Sequence, residues 1–589
     1  MNRRLILMLA VGGSLAIGSG CSGADEAQAP QDTVAKTAAL RTPSVTWFVD
    51  RAAARGLDFE HVSGAAGRYL LPEIMGGGAA LADLDGDGDL DAYLVQSGHL
   101  PGSAALDGTA VPGNRLFLNR GDGSFIESHN SGADDRGYGM GVTVGDYDND
   151  GDVDLYVTNV GPNVLLQNAG DGTFTDVTIA AGVGDPGFST AAVFFDPDGD
   201  GDLDLFVVNY VTWSLGRERD CYDYGTGIRN YCDPGNYDAP AQDRLFRNNG
   251  DGSFTDVSAS AGLPSAFGNG LGVISADFDG DGRADIFVAN DKTMNQLWLN
   301  RSDSRGDPQS ASSGNLQFQD EALLWGCAMD DHGIAKAGMG VASADIDDDG
   351  DADLLVVNIE GETDSLFRNE GTYFVDATAS IGLGTTSRRY TRFGVALADF
   401  DNDGNLDLFE ANGRVTYSPE PEAQDVFAEP NALFRGLDSG RFLAVEPPGG
   451  VDPALIHTSR GVALGDVDGD GGLDLLVVNR DARAYLLLNA LLTRGAWARF
   501  RVLTNDGRDA HGATVSGIVG NVRKFRDVQT AGSYLAAHEP TVHFGLATHT
   551  RIGEVVVRWP DAGREAFGDF PAGATVVLRR GAGRILPAP

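Results

Sequence analysis

The 589-residue sequence is short of cysteine, of positive charge and of long apolar runs, and each shortage removes a class of function. Its four cysteines nowhere form a C-x-x-C pair, which excludes the common zinc ribbons and dithiol redox sites. Lysine and arginine number 43 against 85 acidic residues, and a net charge of −42 argues against nucleic acid as a partner. Beyond the N-terminal region no stretch is apolar for long enough to span a bilayer. Catalytic signatures are missing too. His538 and His543 stand five apart with Pro540 between them, not in the H-E-x-x-H spacing that puts two zinc ligands on one helical face. There is no G-x-S-x-G elbow, Walker loop or dinucleotide fingerprint.

Aspartate and glycine are abundant, and a nine-residue string concentrates them. It begins as DLDGDGDLD at Asp83 and returns at Asp146, Asp196, Asp277, Asp345, Asp399 and Asp466. Every copy has Asp at position 1, at position 3 (Asp85, Asp148, Asp198, Asp279, Asp347, Asp401, Asp468) and at position 5 (Asp87, Asp150, Asp200, Asp281, Asp349, Asp403, Asp470). Position 6 is always Gly, and position 9 is always Asp: Asp91, Asp154, Asp204, Asp285, Asp353, Asp407 and Asp474. Alternate carboxylates converging on one cation, with a glycine at the sharp turn, are the pattern of a calcium loop. Position 7 would ligate through its main-chain carbonyl, and its side chain varies freely: Asp89, Asp152, Asp202, Arg283, Asp351, Asn405 and Gly472. Four carboxylates a few ångströms apart repel strongly unless a hard cation sits among them, so up to seven calcium ions are expected.

Residues 1–20 read as a secretory signal: Arg3 and Arg4, an apolar core from Leu5 to Ile17, and small residues before Cys21. The pattern resembles a bacterial lipoprotein signal with Cys21 as the lipidated residue, although Gly18 stands where Leu is usual. An envelope lipoprotein, secreted across the inner membrane and held to a membrane by a lipid, is the expected localisation. Residues 21–46 lack large apolar side chains for most of their length and read as a flexible tether. Cys221 and Cys232 share the loop DCYDYGTGIRNYCDP and are expected to form a disulfide in an oxidising compartment; Cys327 is left over as a small buried residue.

Each aspartate string lies in a longer repeat of four short β-prone runs separated by Gly, Asp and Asn turns, as in GMGVTVGD, LYVTN, NVLLQN and TFTDV. The strings recur every 50 to 81 residues, which predicts a β-propeller over residues 47–490. Fourth strands begin at Phe125, Phe174, Phe254, Phe318, Phe374 and Phe442, and the seventh repeat has none. WFVDRAAARGL from Trp47 matches the fourth-strand segment FTDVSASAGL, so the N-terminal strand is expected to complete the seventh blade and remove an exposed edge. Residues 495–585 alternate apolar and polar residues and form a small all-β domain. The predicted fold is thus all-β, a seven-bladed propeller followed by a small β domain.

The opening FVDRAAARGLDFEHVSG, the seven strings, the CYDYGTGIRNYCDP insertion and the segments DAHGATV, AGSYLAAHEPTVHFGLA and VVVRWPDAG occur in an order that resembles the cartilage acidic protein family. That resemblance implies integrin-α-like FG-GAP repeats followed by an ASPIC and UnbV domain, in a calcium-dependent extracellular propeller. The expected function is a non-catalytic binding or adhesion scaffold with an unidentified protein or glycan ligand on the rim that carries the long insertions. Trp213, Tyr222, Tyr224 and Tyr231 are the candidate contacts there, in an aromatic-rich stapled loop suited to a sugar ring or a protein. The alternative is a polysaccharide lyase or hydrolase at the propeller mouth, for which His99, His332, Arg217, Arg219 and Tyr222 are the candidates.

Overall fold

In a computed structural model the described residues are 45–100, 111–223, 225–302, 315–418 and 421–587. Ser44–Pro589 form one compact unit. Cys21, with the signal and most of the tether, lies outside the described residues, as does Tyr224.

Seven four-stranded antiparallel meanders make up most of the unit. The second meander runs Gly139–Gly145, Asp154–Asn159, Val164–Asn168 and Phe174–Asp176, and the others repeat its order. The seventh consists of Ser459–Gly465, Asp474–Asn479 and Tyr485–Asn489, and its outer strand is Phe48–Asp50, with Phe48 opposite Asn489 and Asp50 opposite Leu487. Each meander's innermost strand touches the innermost strand of the next, and Ser459–Gly465 returns to Ala79–Ala82 of the first, so the inner strands form a ring. Second strands such as DLFVVN and DLLVVN are buried on both faces because a neighbouring blade covers each side, which is why they are almost continuously apolar. Outer strands such as FTD bury only the Phe.

The C-terminal domain pairs a three-stranded sheet (Val542–Ala547, Ala496–Leu503, Ala574–Arg579) with a five-stranded one around Phe500, Val515, Phe544, Val557 and Trp559. Its segment AGSYLAAHE leaves the domain and fills the propeller's centre. Ala536 and Ala537 pair in parallel with Ala79 and Ala80 of the first blade, while Ser533 exchanges backbone hydrogen bonds with Val341 of the fifth. The amide of Val395 donates to Ser533 Oγ at 3.0 Å, and that of Val142 to the Leu535 carbonyl at 3.3 Å. Glycines on the inner strands make room for this plug: a Cβ on Gly78 would lie 2.5 Å from the Leu535 carbonyl oxygen, inside van der Waals contact.

At the other end of the channel the long insertions close over the plug. Tyr231, Cys232 and Tyr237 of the Cys221–Cys232 insertion share one apolar core with Leu71, Met75, Phe427, Tyr534 and Leu535. The Cys221 and Cys232 sulfurs are bonded, with Cα atoms 5.3 Å apart, and Cys327 is buried.

Candidate metal centres and the faces around them

Each aspartate string joins an innermost strand to the second strand of its blade, and backbone sterics decide much of its sequence. The position-6 glycines all adopt positive φ, from +82° at Gly471 to +99° at Gly151 and Gly404. Position 4 is left-handed as well, at Gly86, Asn149, Gly199, Gly280, Asp348, Asn402 and Gly469. Only Gly, Asn and Asp enter that region cheaply, which explains why position 4 holds no other residue.

Hydrogen bonds then fold the aspartates inward. The amide of position 7 donates to the position-5 carboxylate in all seven loops, as from Asp152 to Asp150 at 3.0 Å. In six loops the position-6 amide donates to the position-1 carboxylate, as from Gly151 to Asp146 at 3.0 Å. The position-9 carboxylate is buried at the start of the second strand. One of its oxygens takes the amide of the third strand's last residue in every blade, as from Asn119 to Asp91 at 2.8 Å. The other takes the position-2 amide in six blades, as from Leu84 to Asp91 at 2.9 Å. In the third blade position 2 is Pro197, which has no N–H, and Asp204 Oδ2 is left without a partner.

Burial drives the electrostatics of these groups. It raises the carboxyl pKa of Asp91 and Asp353 to about 7 and that of Asp154 to about 9, and it holds Asp204, Asp285, Asp407 and Asp474 well above the ordinary carboxylate range. Burial, with neighbouring carboxylates as a further cause, also raises position 1, to about 6 at Asp146 and about 7 at Asp345 and Asp399. Three carboxylate oxygens lie within 4.8 Å of one another in groups such as Asp83, Asp85 and Asp91, or Asp196, Asp198 and Asp200. Asp148 Oδ1, Asp277 Oδ1 and Asp468 Oδ1 are buried without a hydrogen-bond partner. A cluster of desolvated, unpartnered carboxylate oxygens is a donor set that fits a hard divalent cation.

Position 7 contributes its side chain differently in each loop: Arg283 pairs with Asp281 and donates to the Asn300 carbonyl at 3.0 Å, while Asn405 donates to Asp438 at 3.0 Å. Asp89, Asp152, Asp202 and Asp351 all have pKa values raised by burial ahead of their carboxylate neighbours. Gly472 has no side chain to offer.

Sequence reasoning missed the asparagine that ends the third strand. In six blades its Nδ2 donates to the position-2 carbonyl of the preceding blade's loop: Asn119 to Val467 (2.8 Å), Asn168 to Leu84 (2.9 Å), Asn248 to Tyr147 (2.7 Å), Asn300 to Pro197 (2.8 Å), Asn369 to Phe278 (2.8 Å) and Asn489 to Phe400 (2.8 Å). The Asn119 bond ties the first blade to the seventh. The sixth blade ends its third strand at Gly436, and a cavity of about 280 Å³ lies between its loop and that of the fifth blade. The signal was visible in the recurring strings RLFLN, VLLQN, RLFRN, QLWLN, SLFRN and YLLLN, but only ring geometry shows the partner.

The loop rim faces the C-terminal domain, which brings cations to it. Arg499 binds Asp466 at 2.8 Å, Arg558 binds Asp277 at 2.7 Å and Lys524 binds Asp348 at 2.7 Å.

The aromatic candidates on the long-insertion rim separate, and two need correction. Tyr231 is 8% exposed, packed against Tyr69 and Phe427, and Trp213 is half-buried against Phe188 with its indole N–H on Glu218 at 2.8 Å. They pack the insertion, because a loop that roofs an apolar channel needs apolar side chains of its own. Tyr222 is 56% exposed. Arg217 and Arg219 line a cavity of about 240 Å³ with Tyr237. No hydrogen bond or ion pair among the described residues joins any two of His99, His332, Arg217, Arg219 and Tyr222. Ser97 Oγ lies 3.1 Å from His61 Nε2, but both residues are buried.

Residues 83–157, 146–207, 235–288 and 334–410 match the family described as FG-GAP-like repeat, and residues 503–585 match ASPIC and UnbV. Cartilage acidic protein 1 of Xenopus tropicalis is 25% identical over 525 residues, covering 84% of this chain and 63% of its own length. The Homo sapiens protein of that name is 26% identical over 472 residues, covering 73% and 61%. The chain thus spans about three fifths of these relatives. Among solved structures, an Agrocybe aegerita lectin that recognises non-reducing terminal N-acetylglucosamine aligns over 72% of this chain and 90% of its own at TM-score 0.39 and 16% identity. A Bacillus licheniformis rhamnogalacturonan lyase aligns over 70% and 89% at TM-score 0.28 and 12% identity. The chain is a protein of FG-GAP-like repeats followed by an ASPIC and UnbV domain, similar over most of its length to cartilage acidic protein 1.

Proposed function

We propose that this protein is a calcium-stabilised, non-catalytic extracellular scaffold that binds a glycan or protein ligand on its long-insertion rim. The carrying observation is the recurrence, around one ring, of desolvated carboxylate clusters with unpartnered oxygens, since such ionised clusters repel themselves unless a cation offsets their charge. Calcium suits them better than magnesium because carboxylates from four loop positions exceed what a hydrated octahedral ion takes up. When bound, the ion supplies charge neutralisation. The chain's own residues orient its ligands through the amides of positions 6 and 7 and tie each loop to the next blade through the third-strand asparagine.

A filled channel supports the non-catalytic reading, since AGSYLAAHE occupies the space in which a propeller enzyme would hold substrate. The Cys221–Cys232 disulfide supports an oxidising, extracellular setting. Exposed Tyr222 and a cavity lined by Arg217 and Arg219 support a ligand on this rim. Calorimetric titration of the chelator-stripped chain with calcium tests the metal. A glycan array and a pull-down on the calcium-loaded protein, wild type against Tyr222→Ala with Arg219→Ala, test the rim; equal retention by both would refute its placement. Membrane attachment through Cys21 is part of the proposal, and detergent-phase partition that survives Cys21→Ser would contradict it.

A further inference from the structure

A cavity of about 350 Å³ lies between the C-terminal domain and the loops of the first, second and seventh blades, on the rim opposite the proposed ligand face. Its volume falls in the range of roughly 300–1,000 Å³ that small-molecule sites occupy. Gly88, Gly121 and Gly469 are exposed at its edge, so it opens to solvent between neighbouring loops. Three arginines of the C-terminal domain line it. Arg499 is neutralised by Asp466 and Glu539, and Arg501 grips Asp509 through two bonds of 3.0 and 3.1 Å. Arg508 differs: among the described residues its guanidinium has no hydrogen bond or ion pair, and its Nη1 is buried.

A buried guanidinium nitrogen without an acceptor is costly, and a carboxylate brought by a ligand is the group that satisfies it. The lining also offers hydroxyls at Thr530, Thr541 and Thr575, which suit a ligand rich in hydroxyl groups. Among the described residues no Phe, Tyr or Trp lines the cavity, and His511 supplies its aromatic ring. We infer that this cavity binds the carboxylate of an acidic sugar, a uronate unit, with Arg508 as the anion-recognising residue. The inference rests on the calcium reading, because Asp83, Asp89, Asp146, Asp466 and Asp468 also face the cavity and repel an anion more strongly without the cations that offset part of their charge.

Calorimetric titration of the calcium-loaded full chain with digalacturonate tests it, with cellobiose as the neutral control. The expected result is binding to wild type, weakened about tenfold or more by Arg508→Ala and by Arg508→Glu, and partly kept by Arg508→Lys. Cellobiose should bind at least about tenfold more weakly. Each variant is titrated at saturating calcium, because the Arg508 charge also acts on the loop carboxylates Asp146, Asp196 and Asp202, and calcium stoichiometry should not change. Digalacturonate that fails to bind a protein shown to carry calcium, or that binds Arg508→Glu as well as wild type, overturns the acidic-sugar site alone. A chain that takes up no calcium in the separate metal titration overturns the metal reading and this site with it.

Discussion

At the scale of single residues, the third-strand asparagines carry a role that the aspartates have been given by default. Asn119 donates to two carbonyls and accepts three amides, from Arg120, Gly121 and Gly123, while buried at the junction of the first and seventh blades. Asn119→Ala should cost about 2–3 kcal/mol in denaturant unfolding of the calcium-loaded protein, since it orphans buried carbonyls and amides together. A loss below about half a kcal/mol would show the link to be incidental. Gly436→Asn should not supply the missing sixth link. A Cβ there would lie 2.1 Å from the Leu406 carbonyl oxygen, so the substitution should destabilise.

The buried carboxyls also set a pH dependence. Folded Asp91 and Asp353 titrate near 7 and Asp154 near 9, against about 4 in an unfolded chain. Without metal the folded state therefore holds more protons, and its stability should fall as pH rises from about 4 to about 9. Millimolar calcium should flatten that slope by holding the carboxyls ionised. Melting of dialysed protein at pH 5, 7 and 9, with and without calcium, checks both; an apo protein more stable at pH 9 than at pH 5 would reverse the assignment.

At the scale of elements, strands and loops differ in how far the sequence reveals them. Fourth strands beginning at Phe125 or Phe254 were legible because one buried aromatic in three residues marks an outer strand. The pairing of Phe48–Asp50 with Tyr485–Asn489 was legible because the chain's beginning repeats a segment that its seventh repeat lacks. The plug was not. AGSYLAAHE has neither the length nor the alternation of a strand, and its partners are backbone groups of the first, second, fifth, sixth and seventh blades, which no local pattern encodes. Trp213 and Tyr231 misled for a related reason, since an aromatic-rich loop looks the same whether its rings face a ligand or a roof. Tyr534 is fully buried, its ring centroid 4.8 Å from that of Phe393 and its hydroxyl on the Met75 carbonyl at 3.0 Å. Tyr534→Ala should cost about 3–5 kcal/mol and speed amide exchange across residues 531–537. Exchange unchanged in that segment would mean that the plug is held without its tip.

At the scale of the whole molecule, the ring, the plug and the aspartate loops form one arrangement. The C-terminal domain rests on the loop rim through Arg499, Arg558 and Lys524 and sends its plug through the ring, so separating it would uncover both the loops and the channel. Ions in the loops would fix the hairpins onto which the domain docks. Because a ligand that binds only the folded state stabilises it by mass action, several such sites should raise the melting temperature together. Asp83→Ala should remove one ion and weaken one blade, whereas Arg283→Ala should leave the stoichiometry unchanged.

The most direct measurement is calcium stoichiometry by native mass spectrometry of the stripped and reloaded chain, read beside its thermal melt. Several ions, up to seven, that leave with chelator and take many degrees of melting temperature with them are the predicted result. A chain that binds no calcium at millimolar concentration and melts identically in chelator would contradict it.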